Sequence, residues 1–180
     1  MLTRMCKQRF RNCSKREKEM EFIYSYRSLL YDDLKDISSF PQSDEELFYV
    51  SPQFKYPLTP DQIVKLLENR YEPTVIVHKD SDQIVAYANL YNYKDDECWL
   101  GNVIVSKSFR GQGTSSYLLE TMIMKAKSIY RVKNLLLSCH STNSRGLAFY
   151  HKHGFKPIDM RITKLEDGKK IITIQMKLEI

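Results

Sequence analysis

No stretch of this 180-residue chain approaches the roughly 18 to 20 consecutive apolar residues that a membrane-spanning helix needs, so no membrane partner is expected. Cysteine is scarce. Cys6, Cys13, Cys98 and Cys139 form no CxxC pair, and no histidine stands at ligand spacing from them. Neither a zinc site nor a disulfide framework is indicated; no metal is expected, and reduced thiols in a cytoplasmic setting fit the pattern. Glycine is limited to six residues, none of which opens a Gly-Lys-Ser or Gly-Lys-Thr triplet, and this excludes a Walker phosphate loop. The third glycine of a dinucleotide-binding G-x-G-x-x-G is also missing.

Charge is unevenly placed. The first 19 residues hold seven basic side chains (Arg4, Lys7, Arg9, Arg11, Lys15, Arg16, Lys18) against Glu17 and Glu19, so most of the net charge of +6 resides there. The body is close to neutral, which argues against a large basic face for nucleic acid. A nucleic-acid-binding arm would depend on residues 1–19 alone; the alternative is a mobile or loosely helical extension. That segment lacks the apolar core of a secretory signal, and Met20 is a second candidate start. Residues 20–180 are long enough for a single domain with a real core.

The stretch from Trp99 to Ser128 carries the strongest local signal. An apolar run, Val103-Ile104-Val105, leads through a polar turn to Arg110-Gly111-Gln112-Gly113, and then to apolar positions recurring every three or four residues. The pattern predicts strand, glycine loop and helix. A helix start preceded by glycines presents unpaired N–H groups and a partial positive charge, which suit a pyrophosphate. A Cβ at position 111 or 113 would hold the phosphates off.

Around this unit the chain reads as strands over 22–27, 74–78, 84–91 and 98–105, the last three as an antiparallel meander. Asp32 and Asp33 cap a short helix, Ser43 to Glu46 form a second capping cluster, and residues 48–60, with three prolines, should be loop. Thr59 and Pro60 open a helix whose apolar face is Ile63, Val64, Leu66 and Leu67. The helix over 113–129 buries Leu118, Leu119, Met122, Ile123, Ala126 and Ile129, and a strand over 135–139 follows, parallel to the one before the helix. Asn143 caps a helix closed by Gly154, and strands over 155–160 and 171–178 flank a turn at Asp167-Gly168.

Two blocks together resemble the GNAT superfamily of acetyl-CoA-dependent N-acetyltransferases. Arg110-Gly111-Gln112-Gly113-Thr114-Ser115 is similar to its [RQ]-x-x-G-x-[GA] signature at the Arg and the central Gly, with Ser115 departing from the usual small residue. Asn143 through Tyr150, followed by Gly154-Phe155, resembles the family's second segment without a gap. The resemblance spans about residues 22–178. It implies an α+β fold of α/β/α layers, with a mixed, mostly antiparallel sheet of six to seven strands and helices on both faces.

The same resemblance implies acetyl transfer from acetyl-CoA to a primary amine by direct attack in a ternary complex. Val103, Ile104 and Val105 would offer backbone groups to the pantetheine arm, and the N–H groups of Gly111, Gln112, Gly113, Thr114, Ser115 and Ser116 would hold the pyrophosphate near Arg110. Asn143 would bond the pantetheine, and the Tyr150 hydroxyl would protonate the leaving thiolate. Val103 and Val105 would equally be core residues of any strand, Asn143 a simple N-cap, and Tyr150 an aromatic on an apolar helix side.

An amine of pKa about 10.4 must lose a proton before it attacks, at a cost of roughly 4 kcal/mol at neutral pH if unaided. Glu97 is the first candidate base and His140 a second, while His151 and His153 stand on different sides of a short helix. Relatives that acetylate protein N-termini can use a Glu on the fifth strand, where this chain has Ser138. No covalent acyl-enzyme is required, so neither Cys98 nor Cys139 need be a nucleophile. The acceptor, a small molecule or a peptide amine, would be shaped by residues 28–60 and the last hairpin. Tyr49, Phe54, Tyr56 and Tyr91 could line an aromatic pocket, and Asp44, Glu45 and Glu46 could attract a cation. A non-catalytic acyl-CoA sensor is the competing reading. Dimers are common among relatives, so a homodimer stays open.

Overall fold

A computed structural model describes residues 20–164, 168 and 170–180. The basic extension over 1–19 and Asp167 of the last turn lie outside the described residues. Seven strands form one sheet in the order β1-β2-β3-β4-β5-β7-β6. They are β1 (Tyr24–Ser28), β2 (Tyr71–His78), β3 (Gln83–Lys94), β4 (Glu97–Val105), β5 (Asn134–His140), β6 (Lys156–Lys164) and β7 (Lys170–Glu179). The first four make an antiparallel meander, β4 and β5 are parallel, and β7 pairs antiparallel with both β5 and β6.

Five helices cover the sheet: α1 (Asp33–Ser38), α2 (Asp44–Val50), α3 (Pro60–Leu67), α4 (Thr114–Ser128) and α5 (Ser144–Lys152). Their starts follow from local chemistry. Ser43 accepts from the Glu46 N–H, Thr59 from Gln62 with Pro60 at the first turn, and Asn143 from Gly146. On one face Leu118, Leu119, Met122 and Ala126 of α4 pack against Ile76, Ala88, Leu100, Leu135 and Leu137. On the other, α1 to α3 bring Leu34, Ile37, Leu47 and Ile63 against Val75, Val77, Tyr87 and Ile104. The layered, mixed and mostly antiparallel sheet is the architecture expected.

Several boundaries differ from expectation for physical reasons. Residues 20–23 are helical, so the first strand starts at Tyr24. Asp32 makes no side-chain cap, because it is the Asp33 carboxylate that accepts the Leu30 N–H at 2.7 Å while pairing with Arg27. Residues 48–50 continue α2 instead of forming loop, since the Ser43 cap lies far enough upstream to feed a helix of seven residues. β2 passes through Pro73 by an irregular step in its pairing with β3, with Glu72 at φ +47°. Val64 and Ile129 are exposed at 40% and 53%, each at the solvent edge of its helix.

β4 and β5 pair over only three positions, Glu97 with Asn134, Cys98 with Leu135 and Trp99 with Leu136. Beyond Trp99 no further pairing joins the two strands among the described residues, and a cleft opens between them. The glycine loop and α4 lie at its far end because β4 runs directly into them.

Candidate active site

The cleft has a volume of about 1780 Å³ and is lined by residues 100–105 of β4, 137–140 of β5, the glycine loop, and parts of α2 and α5. Gly111 and Gly113 adopt φ of +78° and +89°, a conformation that a side chain strains, and Gly113 occupies the N-cap of α4. Among the described residues no acceptor takes the N–H groups of 111–115, while Ser116 and Tyr117 bond back to the Gly113 carbonyl at 2.9 and 3.0 Å. Five donors therefore remain at the start of a 15-residue helix. Beside them lies the Met20 side chain, so close that a Cβ at Gly113 would stand 2.7 Å from its Cε. A flexible thioether is the neighbour most able to give way.

Val103, Ile104, Val105, Gly111, Gln112, Ser115, Ser116, Asn143 and Tyr150 all line this one cleft. Three residues expected there are placed differently. Thr114 is fully buried, its hydroxyl bonded to the Tyr24 hydroxyl and the Phe109 carbonyl, and it does not line the cleft. Arg110 lines the cleft, but its guanidinium grips Glu46 through Nη1 at 2.7 Å and Nη2 at 3.0 Å and also donates to the Val105 and Phe40 carbonyls. These bonds hold the Glu46 carboxyl below its usual range and tie α2 to the end of β4. Glu97 lies outside the cleft. It borders a separate hollow with Asn92, Tyr93 and Trp99, and its carboxylate accepts from Asn134 at 3.4 Å. Eight residues of extended strand, roughly 26 Å, separate it from Val105. It sits where β4 is still paired with β5, on the closed side of the splay.

Tyr150 projects from α5, and its hydroxyl has no hydrogen-bond partner among the described residues. Burial, with Cys139 nearby, raises its pKa far above neutrality, so the phenol keeps its proton. Burial also pushes the Cys139 thiol up to about 11, leaving it a poor nucleophile at neutral pH. His140 ends β5 with its ring 4.5 Å from that of Phe48, and burial lowers its pKa, which favours the neutral imidazole. His153 binds α5 to α4: its Nδ1 donates to the Phe149 carbonyl at 2.9 Å, and its Nε2 is hydrogen-bonded with the Ser116 hydroxyl at 3.1 Å.

Of the aromatics considered for an acceptor pocket, Tyr49 and Tyr91 line the cleft, whereas Phe54 packs against the α1 to α3 core and Tyr56 is exposed. Glu46 is neutralised by Arg110, and Glu45 accepts from the Tyr49 hydroxyl at 2.8 Å. Sequence reasoning missed Met20, Arg70 and the Ser116 to His153 bond. Each depends on long-range packing and leaves no local pattern.

The sequence profile described as the acetyltransferase (GNAT) family matches residues 28–155. The chain belongs to this family, and its fold and function are those of an acetyltransferase. No curated protein matches the sequence. Similar solved structures include the ribosomal-protein-S18-alanine N-acetyltransferase from Escherichia coli, 22% identical over 88% of this chain and 94% of that one, with a TM-score of 0.65. The spermidine N-acetyltransferase from Vibrio cholerae, in complex with CoA and spermine, is 16% identical over 87% and 95%, with a TM-score of 0.71. A GNAT family acetyltransferase from Elizabethkingia anophelis with acetyl-CoA bound is 20% identical over 87% and 98%, with a TM-score of 0.62. At these identities the likeness is one of fold.

Proposed function

We propose that the chain transfers an acetyl group from acetyl-CoA to a primary amine held in the same cleft, with the amine attacking directly. One observation carries this reading: four unengaged main-chain donors, those of Gly111, Gln112, Gly113 and Ser115, bared by two glycines at positive φ, open onto a cleft that Asn143 and Tyr150 also line. The donors of Gly111, Gln112, Gly113 and Ser115 would take the diphosphate, the exposed edge of Val103 to Val105 would run beside the pantetheine arm, and Asn143 would hold an amide of that arm. The Ser116 N–H is already given to Gly113, so its share is smaller. Arg110 acts from behind, fixing the loop through Glu46. When bound, acetyl-CoA supplies the acyl thioester.

The chain's own groups then handle protons. Tyr150 stays protonated and stands as the acid for the departing sulfur. Cys139, a thiol at neutral pH, is not the acyl carrier. His140, neutral and unbonded at both ring nitrogens among the described residues, is the cleft group best suited to accept the acceptor's proton, directly or through water. Glu97, placed elsewhere, has no part in it.

The test is thiol release from acetyl-CoA by the purified full chain across a library of primary amines. Turnover with intersecting initial-rate lines supports direct transfer. Parallel lines, or a stoichiometric burst of thiol before amine is added, would overturn it. Tight acetyl-CoA binding with no acceptor in the library would instead favour the sensor.

A further inference from the structure

At the acceptor side of the cleft, Arg70 stands apart from the other cations. It follows α3, lies half-buried, and lines the cleft with Tyr91, Gly101 and Asn102. Its guanidinium carbon sits over the Tyr91 ring, 4.6 Å from the ring centre, in a cation–π contact. Nη1 donates to the Asn69 carbonyl at 3.0 Å, and Nε reaches Asn102 Oδ1 at a long 3.4 Å, an oxygen that already accepts from Asn89 at 3.0 Å. Nη2 has no partner among the described residues, and no carboxylate pairs with this guanidinium there. Of the other arginines lining the cleft, Arg110 is matched to Glu46 in bidentate fashion and Arg145 is exposed.

A half-buried guanidinium held in place by a ring, and lacking a counter-ion, is a receptor for an oxyanion. Of the two α2 carboxylates that line the cleft, Glu46 is charge-paired with Arg110, and Glu45 accepts from the Tyr49 hydroxyl. Asn102 adjoins Val103, where the thioester arm would pass, so an anion on Arg70 lies within a few residues' length of the reacting centre. We infer that the acceptor is an amine that also carries a carboxylate, of amino-acid type, and that Arg70 is the residue selecting it. The inference rests on the acetyl transfer proposed above.

The experiment compares matched acceptors with the full chain: several amino acids, the corresponding amino-acid amides, the corresponding decarboxylated amines, and spermidine. The wild-type chain should favour the carboxylate member of each set by about 10- to 100-fold in kcat/KM. Arg70→Gln should erase that preference mainly by raising the KM for the carboxylate acceptor, with the KM for acetyl-CoA little changed, and Arg70→Lys should restore part of it. A merely structural arginine would lower turnover on all acceptors alike and lower the melting temperature with it. Preference for spermidine or the decarboxylated amines, or equal losses across a set in Arg70→Gln, would overturn the inference and leave acetyl transfer standing. Failure to bind acetyl-CoA in calorimetry would overturn both.

Discussion

Replacing Gly111 by alanine separates the conformational role of the glycine loop from its contact with phosphate. Gly111 sits at φ +78°, and a Cβ built there meets nothing within 4 Å, so the substitution introduces backbone strain and no clash in the free protein. Holding an L-residue in that conformation costs about 1 to 2 kcal/mol. For a domain of this size that corresponds to a melting temperature lower by roughly 2 to 8 °C. The strain is present with and without ligand, so it cancels in a binding measurement. Any loss of acetyl-CoA affinity therefore reports the new methyl group standing in the phosphate cradle.

Gly168, in the turn between β6 and β7, supplies the control: φ is +84°, nothing lies within 4 Å of an added Cβ, and it does not line the cleft. Gly168→Ala should lower the melting temperature similarly and leave affinity untouched. Gly111→Ala should weaken acetyl-CoA binding by on the order of 10-fold or more in calorimetry, the equivalent of about 1.4 kcal/mol. Equal affinities in the two variants would refute the cradle.

Tyr150→Phe should preserve acetyl-CoA affinity and lower turnover by about 10- to 1000-fold, read by thiol release; equal rates at all pH values would remove the phenol from the acid role. Cys139→Ala should keep turnover within a few-fold of wild type, because a thiol raised to about 11 carries no acyl group; loss of activity without loss of stability would contradict this. His140 has a folded-state pKa below its unfolded value of about 6.5, so the stability gained by keeping it neutral is lost as pH falls below 6.5 and through the folded value. A His140→Gln variant should show a flatter melting temperature across that window, and a wild-type slope in the variant would assign the effect to another group. Glu46→Gln should loosen the tie between α2 and the glycine loop, costing about 1 to 2 kcal/mol at neutral pH in denaturant titration, since the pair is only partly shielded.

Most of the fold was legible because its signals are local. The Thr59-Pro60 and Asn143 caps, the alternation along β3 and β4, and the glycine loop each declare themselves within a few residues. The glycine-loop side of the cleft was legible for the same reason: positive-φ glycines and an N-capping asparagine are marked by residue type. What escaped was settled between distant segments. The resemblance puts Arg110 near the pyrophosphate, yet its partner Glu46 lies 64 positions away, and the pair turns the arginine into a brace. Glu97 shares β4 with the cleft residues, but where β5 parts from β4 is set by pairing register, which periodicity does not reveal. Arg70 is an unremarkable arginine before a strand until the fold sets it over Tyr91.

The central claim is that the main-chain donors of the glycine loop grip the diphosphate of coenzyme A. Calorimetric titration of the full chain with acetyl-CoA and with S-acetylpantetheine, which keeps the thioester arm but lacks the diphosphate, tests it most directly. Loss of several hydrogen bonds to a charged group predicts that S-acetylpantetheine binds weaker by on the order of 100-fold or more. Comparable affinities for the two compounds would contradict it.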